Sequence, residues 1–290
     1  MPEPADGLHM HWMTREDVFN KTVSYSQNYE DILLARAFPG PEGFYLDVGA
    51  NHPVFHSVTK LFYDRGWRGI NVEPSPVVHR HLCEDRPRDV NLNVGLADRD
   101  GVLTFHESLT YHGWSTFRPD LAEHYRGIGV PMAERPVPVT TLAEVCERHV
   151  DRTIDFLKID AEGFEREVLL GADFRRWRPR VILIENAWPA AWEGLIEAID
   201  YRLAIFDGIN RFYVRAEDEA LLPAFATTIN VLDNFVPYEY LRLLREQPGR
   251  AEAGGPRTID GLRNDARRAV RRLRAAARGL ASRGRGREAG

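Results

Sequence analysis

The strongest constraint on this 290-residue chain is a series of short apolar runs, each too brief for a buried helix, that end in acidic or polar residues. Residues 43–48 (Gly-Phe-Tyr-Leu-Asp-Val) stop at Gly49, and residues 69–73 (Gly-Ile-Asn-Val-Glu) stop at Pro74. Residues 154–160 end in Asp160 and residues 180–185 end in Glu185, while 89–96 reads as a further strand between the pairs. Separating them, segments 32–38, 54–65, 77–82, 142–149, 164–170 and 192–199 carry apolar residues at helical spacing, with Thr140 or Thr141 as a cap for the fourth. Strand and helix in alternation predict a doubly wound, Rossmann-like α/β fold with a mostly parallel sheet of seven strands, because parallel neighbours need crossover connections. Residues 201–206 and 211–214, joined by Asp207-Gly208-Ile209-Asn210, are expected to close it as an antiparallel edge hairpin. Residues 101–107 alternate apolar and polar and are expected as an edge hairpin or a flap, within a segment (101–135) that covers the site.

Charge divides the chain unevenly. Residues 251–290 hold eleven Arg against four acids, a net of +7, which leaves −12 for residues 1–250 out of the overall −5. An acidic body is a poor partner for polyanions, whereas the Arg- and Gly-rich end suits an acidic partner or an anionic surface. The expected organisation is an N-terminal arm (1–23), one large domain (24–236), and a C-terminal helix with an Arg-rich tail lacking fixed structure (237–290). Residues 262–280 could alternatively form a basic amphipathic helix. No run of about 18 apolar residues and no signal-like start are present, so a cytoplasmic protein is expected. The two cysteines, Cys83 and Cys146, lack metal-type spacing and read as reduced core thiols in helices.

Ligands of open parallel sheets bind beyond the carboxyl ends of the strands, and here those ends are acidic. A dinucleotide site requires G-x-G-x-x-G after the first strand, but the sequence offers Gly49 alone. S-adenosylmethionine (SAM) has no phosphate to cradle; it requires one glycine for close approach and a carboxylate facing a cation, which Gly49 and Asp47 provide. Glu73, at the end of the next strand, is placed to accept both ribose hydroxyls.

These residues resemble the FkbM-type methyltransferases. The resemblance runs over residues 24–236, through Gln27-Asn28-Tyr29-Glu30-Asp31, residues 44–51, Asn71-Val72-Glu73-Pro74, Trp114-Ser115-Thr116 and, most specifically, residues 154–165. It implies SAM as cofactor, contacts from Asp47, Gly49, Asn51 and Glu73, Asp160 near the sulfonium, and a hydroxyl on a sugar or natural product as acceptor. His52-Pro53 departs from the glycine-containing turn of many relatives.

Methyl transfer to oxygen must align two reactants and dispose of one proton. In one arrangement Asp160, Glu185 and Asn186 bind Mg²⁺, which lowers the pKa of the hydroxyl; the spacing resembles that of catechol-type O-methyltransferases. In the other, a histidine among His52, His56 and His112 is the general base, near Asp160. Trp114 and Trp188 offer ring faces to a small-molecule or glycosyl acceptor, although core packing accounts for them equally well. Rival readings are a non-catalytic binding module that retains the fold and a nicotinamide-dependent oxidoreductase. A nucleic-acid methylase is disfavoured because the loop after the fourth strand reads Asp160-Ala161-Glu162-Gly163.

Overall fold

A computed structural model describes residues 18–185 and 192–246. The chain divides into two compact units, Met1–Glu239 and Tyr240–Gly290, and the described part of the second continues the helix Tyr238–Glu246. The first unit begins with β1 (Thr22–Ser24), α1 (Glu30–Ala37), β2 (Phe44–Val48), α2 (Lys60–Asp64), β3 (Arg68–Val72), α3 (Pro76–Asp85) and β4 (Val90–Leu92). It continues with β5 (Gly95–Leu96), β6 (Gly101–Ser108), α4 (Pro119–Gly127), β7 (Met132–Thr140), α5 (Leu142–His149), β8 (Phe156–Ile159) and α6 (Glu165–Leu170). It closes with β9 (Val181–Glu185), α7 (Glu193–Glu197), β10 (Tyr201–Phe206), β11 (Asn210–Arg215) and β12 (Phe235–Pro237).

The main sheet has the order β10-β11-β9-β8-β2-β3-β4. The five strands from β9 to β4 run parallel, and β11 and β10 are antiparallel. Alternation along each strand sends side chains to two cores. Leu46, Val48, Ile70, Val72, Leu157 and Ile182 pack with Leu142 and Val145 of α5 and Val168 of α6. Tyr45, Phe156, Val181, Leu183 and Phe212 pack with Ile32 and Leu34 of α1 and Leu61 and Phe62 of α2. Each such side chain contributes roughly 1.5–3 kcal/mol as an upper estimate, and a one-residue slip would exchange the two faces, so register is firmly set. Register in turn fixes the site: Asp47 lies opposite Lys158 and Asn71, and Asn210 lies opposite Glu185.

Several expectations need correction. The run at 89–96 is two strands in different sheets, because the Asn93 side chain donates to the Glu73 and Pro74 carbonyls at 2.9 and 3.1 Å and turns the chain. The helix expected over 54–65 is confined to Lys60–Asp64. Before it, His56 is left-handed (φ 58°), Thr59 Oγ1 donates to Asp47 Oδ2 at 2.8 Å, and Ser57 Oγ accepts from Arg86 at 2.9 Å. Residues 101–107 belong to β6, which pairs antiparallel with β7 in a separate three-stranded sheet, β5-β7-β6. Of the thiols, Cys146 is buried as expected, whereas Cys83 is exposed. Thr141 caps α5 by accepting from Glu144 N at 3.1 Å. Residues 1–17, Asn186, Trp188 and the Arg-rich tail lie outside the described residues. Among the described residues, no helix is long and apolar enough to cross a membrane.

Candidate active site

The first turn after β2 admits only glycine at position 49. Gly49 has φ 72°, and a Cβ there would lie 1.9 Å from the Asp160 carbonyl oxygen. Its N–H donates to the Val72 carbonyl at 3.0 Å, which joins the ends of β2 and β3. Asn51, also left-handed (φ 50°), donates its N–H to Glu73 Oε2 at 2.9 Å, and Ser75 N–H donates to Oε1 at 2.8 Å. Glu73 therefore ties the glycine turn to the start of α3. Burial pushes its carboxyl up to about 7, against the two backbone donors and Lys158.

Lys158, on β8 between β2 and β9, is buried at the centre of the site. Its Nζ donates to the Gly49 carbonyl at 2.6 Å and lies 3.2 Å from Asp47 Oδ1 and 3.3 Å from Asp160 Oδ2. Burial opposes the charge, but Asp160 and Asp47 outweigh it and hold the ammonium above its usual range.

Beyond β8, carboxylate oxygens of Asp160, Glu162 and Glu185 lie within 4.8 Å of one another. Glu162 is left-handed (φ 48°), a conformation that strains a residue of this size. It is held there by Thr116 Oγ1 donating to its carbonyl at 2.8 Å, and by Glu165 Oε1, which accepts the N–H groups of Ala161 (3.1 Å) and Gly163 (3.0 Å). The Tyr125 hydroxyl of α4 bonds its carboxylate. Burial and the neighbouring Asp160 push Glu185 up to about 10 and raise Glu162 well above the ordinary range. In the absence of a bound cation, Glu185 and Glu162 thus favour the protonated carboxyl.

A cleft of about 580 Å³ connects these parts. Its lining combines an apolar part (Val72, Val94, Leu96, Phe105, Phe117 and Val168), the groups of Gly49, Asn51 and Glu73, and an acid-rich part with Asp160, Glu162, His112 and Ser115. The turn His112–Trp114 forms the lip, braced by the Trp114 ring stacked on Tyr125 (centroids 5.4 Å apart, 14°). The combined apolar and polar lining is that of a small-molecule site.

Of the residues singled out in the sequence, Gly49, Asn51, Glu73, Asp160 and His112 meet in this cleft. Asp47 is not in its wall, since its carboxylate is taken by Lys158 and Thr59. His52 also lies outside the wall, with Nδ1 accepting from Val54 and Phe55 N–H at 3.0 Å each. Burial and the nearby His81 lower its pKa. His56 is exposed, 3.8 Å from Glu239. Glu185 sits beside Asp160. The sequence reading missed Lys158, Glu162 and Tyr125 as site residues. The signal for Lys158 was present in the sequence: a lysine inside an otherwise apolar, fully buried strand, two residues before a strand-end acid, requires a buried partner.

Among curated proteins, none matches the chain. The sequence model of a family described as the Methyltransferase FkbM domain matches residues 47–212, from the acid of β2 into β11 and so across the whole cleft floor. The chain therefore belongs to the FkbM methyltransferase family.

Proposed function

We propose that the protein is a SAM-dependent O-methyltransferase acting on a hydroxyl of a sugar or natural-product acceptor, with the transferase domain spanning residues 24–236. The observation that carries the reading is the single cleft joining the Gly49–Asn51 turn, the Glu73 carboxylate and Asp160 at the carboxyl ends of β2, β3 and β8. The fit to SAM rests on its parts: an apolar part for a flat heterocycle, a carboxylate for a diol, and an acid-rich part for a sulfonium and an ammonium. When bound, SAM supplies a methyl group activated by its sulfonium. Gly49 and Asn51 would hold the amino-acid portion, Glu73 would accept from the ribose hydroxyls, and Asp160 would face the sulfonium, with Asp47 supporting them from behind the wall.

Transfer breaks the sulfur–methyl bond, forms an oxygen–methyl bond and releases the acceptor proton, so a base must stand in the acid-rich part. His112 and Asp160 line that part and are the preferred proton acceptors; His52 is less favoured because its Nδ1 is already engaged. The same carboxylates would accept hydrogen bonds from acceptor hydroxyls, and the half-exposed Trp114 and exposed Tyr111 offer ring edges and faces at the lip.

The carboxylate triplet favours a second element, a divalent cation. Asp160, Glu162 and Glu185 would hold Mg²⁺, with Asn186 as a further oxygen ligand, and the ion would lower the pKa of an acceptor hydroxyl. Incubating the protein with methyl-labelled SAM and a panel of sugars and hydroxylated small molecules, with Mg²⁺ or with EDTA, tests both readings. Labelled ether product is expected. Label on nitrogen alone overturns the O-methyl assignment, and equal rates in EDTA overturn the metal. Binding of a nicotinamide dinucleotide in preference to SAM would favour an oxidoreductase instead.

A further inference from the structure

Lys158 places a charge where a buried central strand ordinarily supplies an apolar side chain. Three oxygens converge on its ammonium: the Gly49 carbonyl at 2.6 Å, Asp47 Oδ1 at 3.2 Å and Asp160 Oδ2 at 3.3 Å. The Gly49 carbonyl accepts a hydrogen bond from it, and the two carboxylates pair with its charge. Taking it out of water is costly, and if filling space were the only requirement, an apolar side chain of similar length would fill it at lower cost. An apolar side chain cannot, however, hold a carbonyl from the β2 turn and a carboxylate from the end of β8 at a fixed separation.

Resting on the SAM reading, we propose that Lys158 is a positioning residue for the methyl donor: it sets the Gly49 turn and the Asp160 carboxylate in their donor-binding arrangement before the donor arrives. Both groups line the cleft, so fixing them in advance removes an ordering cost from binding. Asp47 acts through Lys158 and does not touch the donor. Its Oδ1 faces the ammonium and its Oδ2 accepts from Thr59 at 2.8 Å, which accounts for a strand-end acid of the first turn lying behind the cleft wall. The lysine thereby joins the acid of β2 to the acid that follows β8, the two neighbouring strands at the centre of the sheet.

Lys158→Met and Lys158→Arg, titrated calorimetrically with S-adenosylhomocysteine at a temperature where circular dichroism shows both folded, test the assignment. Lys158→Met is expected to bind about tenfold or more weakly, and Lys158→Arg, which keeps the charge, to recover most of that loss. A purely structural lysine would lower the melting temperature of Lys158→Met and leave the affinity of the folded protein unchanged, which overturns the proposal. A second readout uses the wild-type protein with ¹⁵N-labelled lysine. A slowly exchanging ammonium signal, absent from Lys158→Arg, should shift when S-adenosylhomocysteine saturates the site. If Lys158→Met does not fold, a Lys158 signal unmoved by saturating ligand overturns the proposal. Wild-type protein that binds no S-adenosylhomocysteine instead overturns the SAM reading itself, a separate outcome.

Discussion

Two polar regions of the cleft are built on different principles. Around Gly49, Asn51, Glu73 and Lys158, the Glu73 carboxylate, the Gly49 carbonyl and the Lys158 ammonium are partnered inside the protein, and the Gly49 turn tolerates no added atom. Around Asp160, Glu162 and Glu185, carboxylates crowd together under an aromatic lip, with Lys158 the buried cation beside them. Groups that already satisfy one another define a rigid mould, suited to a ligand common to many enzymes. Groups left short of positive charge are completed by what binds, and their specificity resides in that partner.

Substitutions should separate the two regions, and the largest effect belongs to the locked one. Gly49→Ala combines a left-handed backbone with a clash against the Asp160 carbonyl, and is expected to cost more than about 3 kcal/mol in chemical denaturation. A loss below about 1 kcal/mol would show that the turn is not locked. Next comes Glu73. Its folded-state pKa of about 7 lies above the ordinary 4.5, so the folded state favours the protonated form. Its contribution to stability is therefore fully present below pH 4.5 and is lost as pH rises through 7, by about 3 kcal/mol at most. Ribose binding requires the carboxylate, so affinity for S-adenosylhomocysteine should run the opposite way, falling up to about tenfold per unit as pH drops below 7. Denaturation midpoints and calorimetric affinities across pH 5–8, for wild type and Glu73→Gln, check both slopes. Parallel slopes, or slopes that persist in Glu73→Gln, contradict the assignment.

Effects in the acid-rich region should be smaller. Trp114→Ala removes a ring stacked on Tyr125 and is expected to cost about 1 kcal/mol in thermal melting, with donor affinity nearly unchanged. Glu162→Gln removes one of three crowded carboxylates and should leave stability within about 0.5 kcal/mol of wild type, or raise it slightly. A loss of several kcal/mol in Glu162→Gln would mean that this region is as tightly determined as the other.

The same division decides what could be read from the sequence. Strand-end acids are visible because a short apolar run that closes on Asp47-Val48-Gly49, Glu73 or Asp160 marks where a buried strand ends, and the strands and most of the helices follow from periodicity. Lys158 was equally legible, as a charge within a buried run. Glu162 and Tyr125 were not, since their meeting depends on α4 returning across the site from a separate sheet. That sheet was itself obscured by Pro136 and Pro138, which argue against a strand. They are tolerated because β5 pairs with β7 only at Val139 and Thr140, leaving that edge of β7 open along the prolines. The apparent helix at 54–65 failed for a local reason: Ser57 and Thr59 are committed to buried polar partners, which helical spacing does not reveal.

The central claim is that the locked region around Gly49, Asn51 and Glu73 belongs to a SAM site, and calorimetric titration of wild-type protein and Glu73→Ala with S-adenosylhomocysteine tests it most directly. Micromolar binding by the wild type, weakened by about tenfold or more in a Glu73→Ala protein that remains folded, is the predicted result. No binding by the wild type, or equal binding by both proteins, would contradict it.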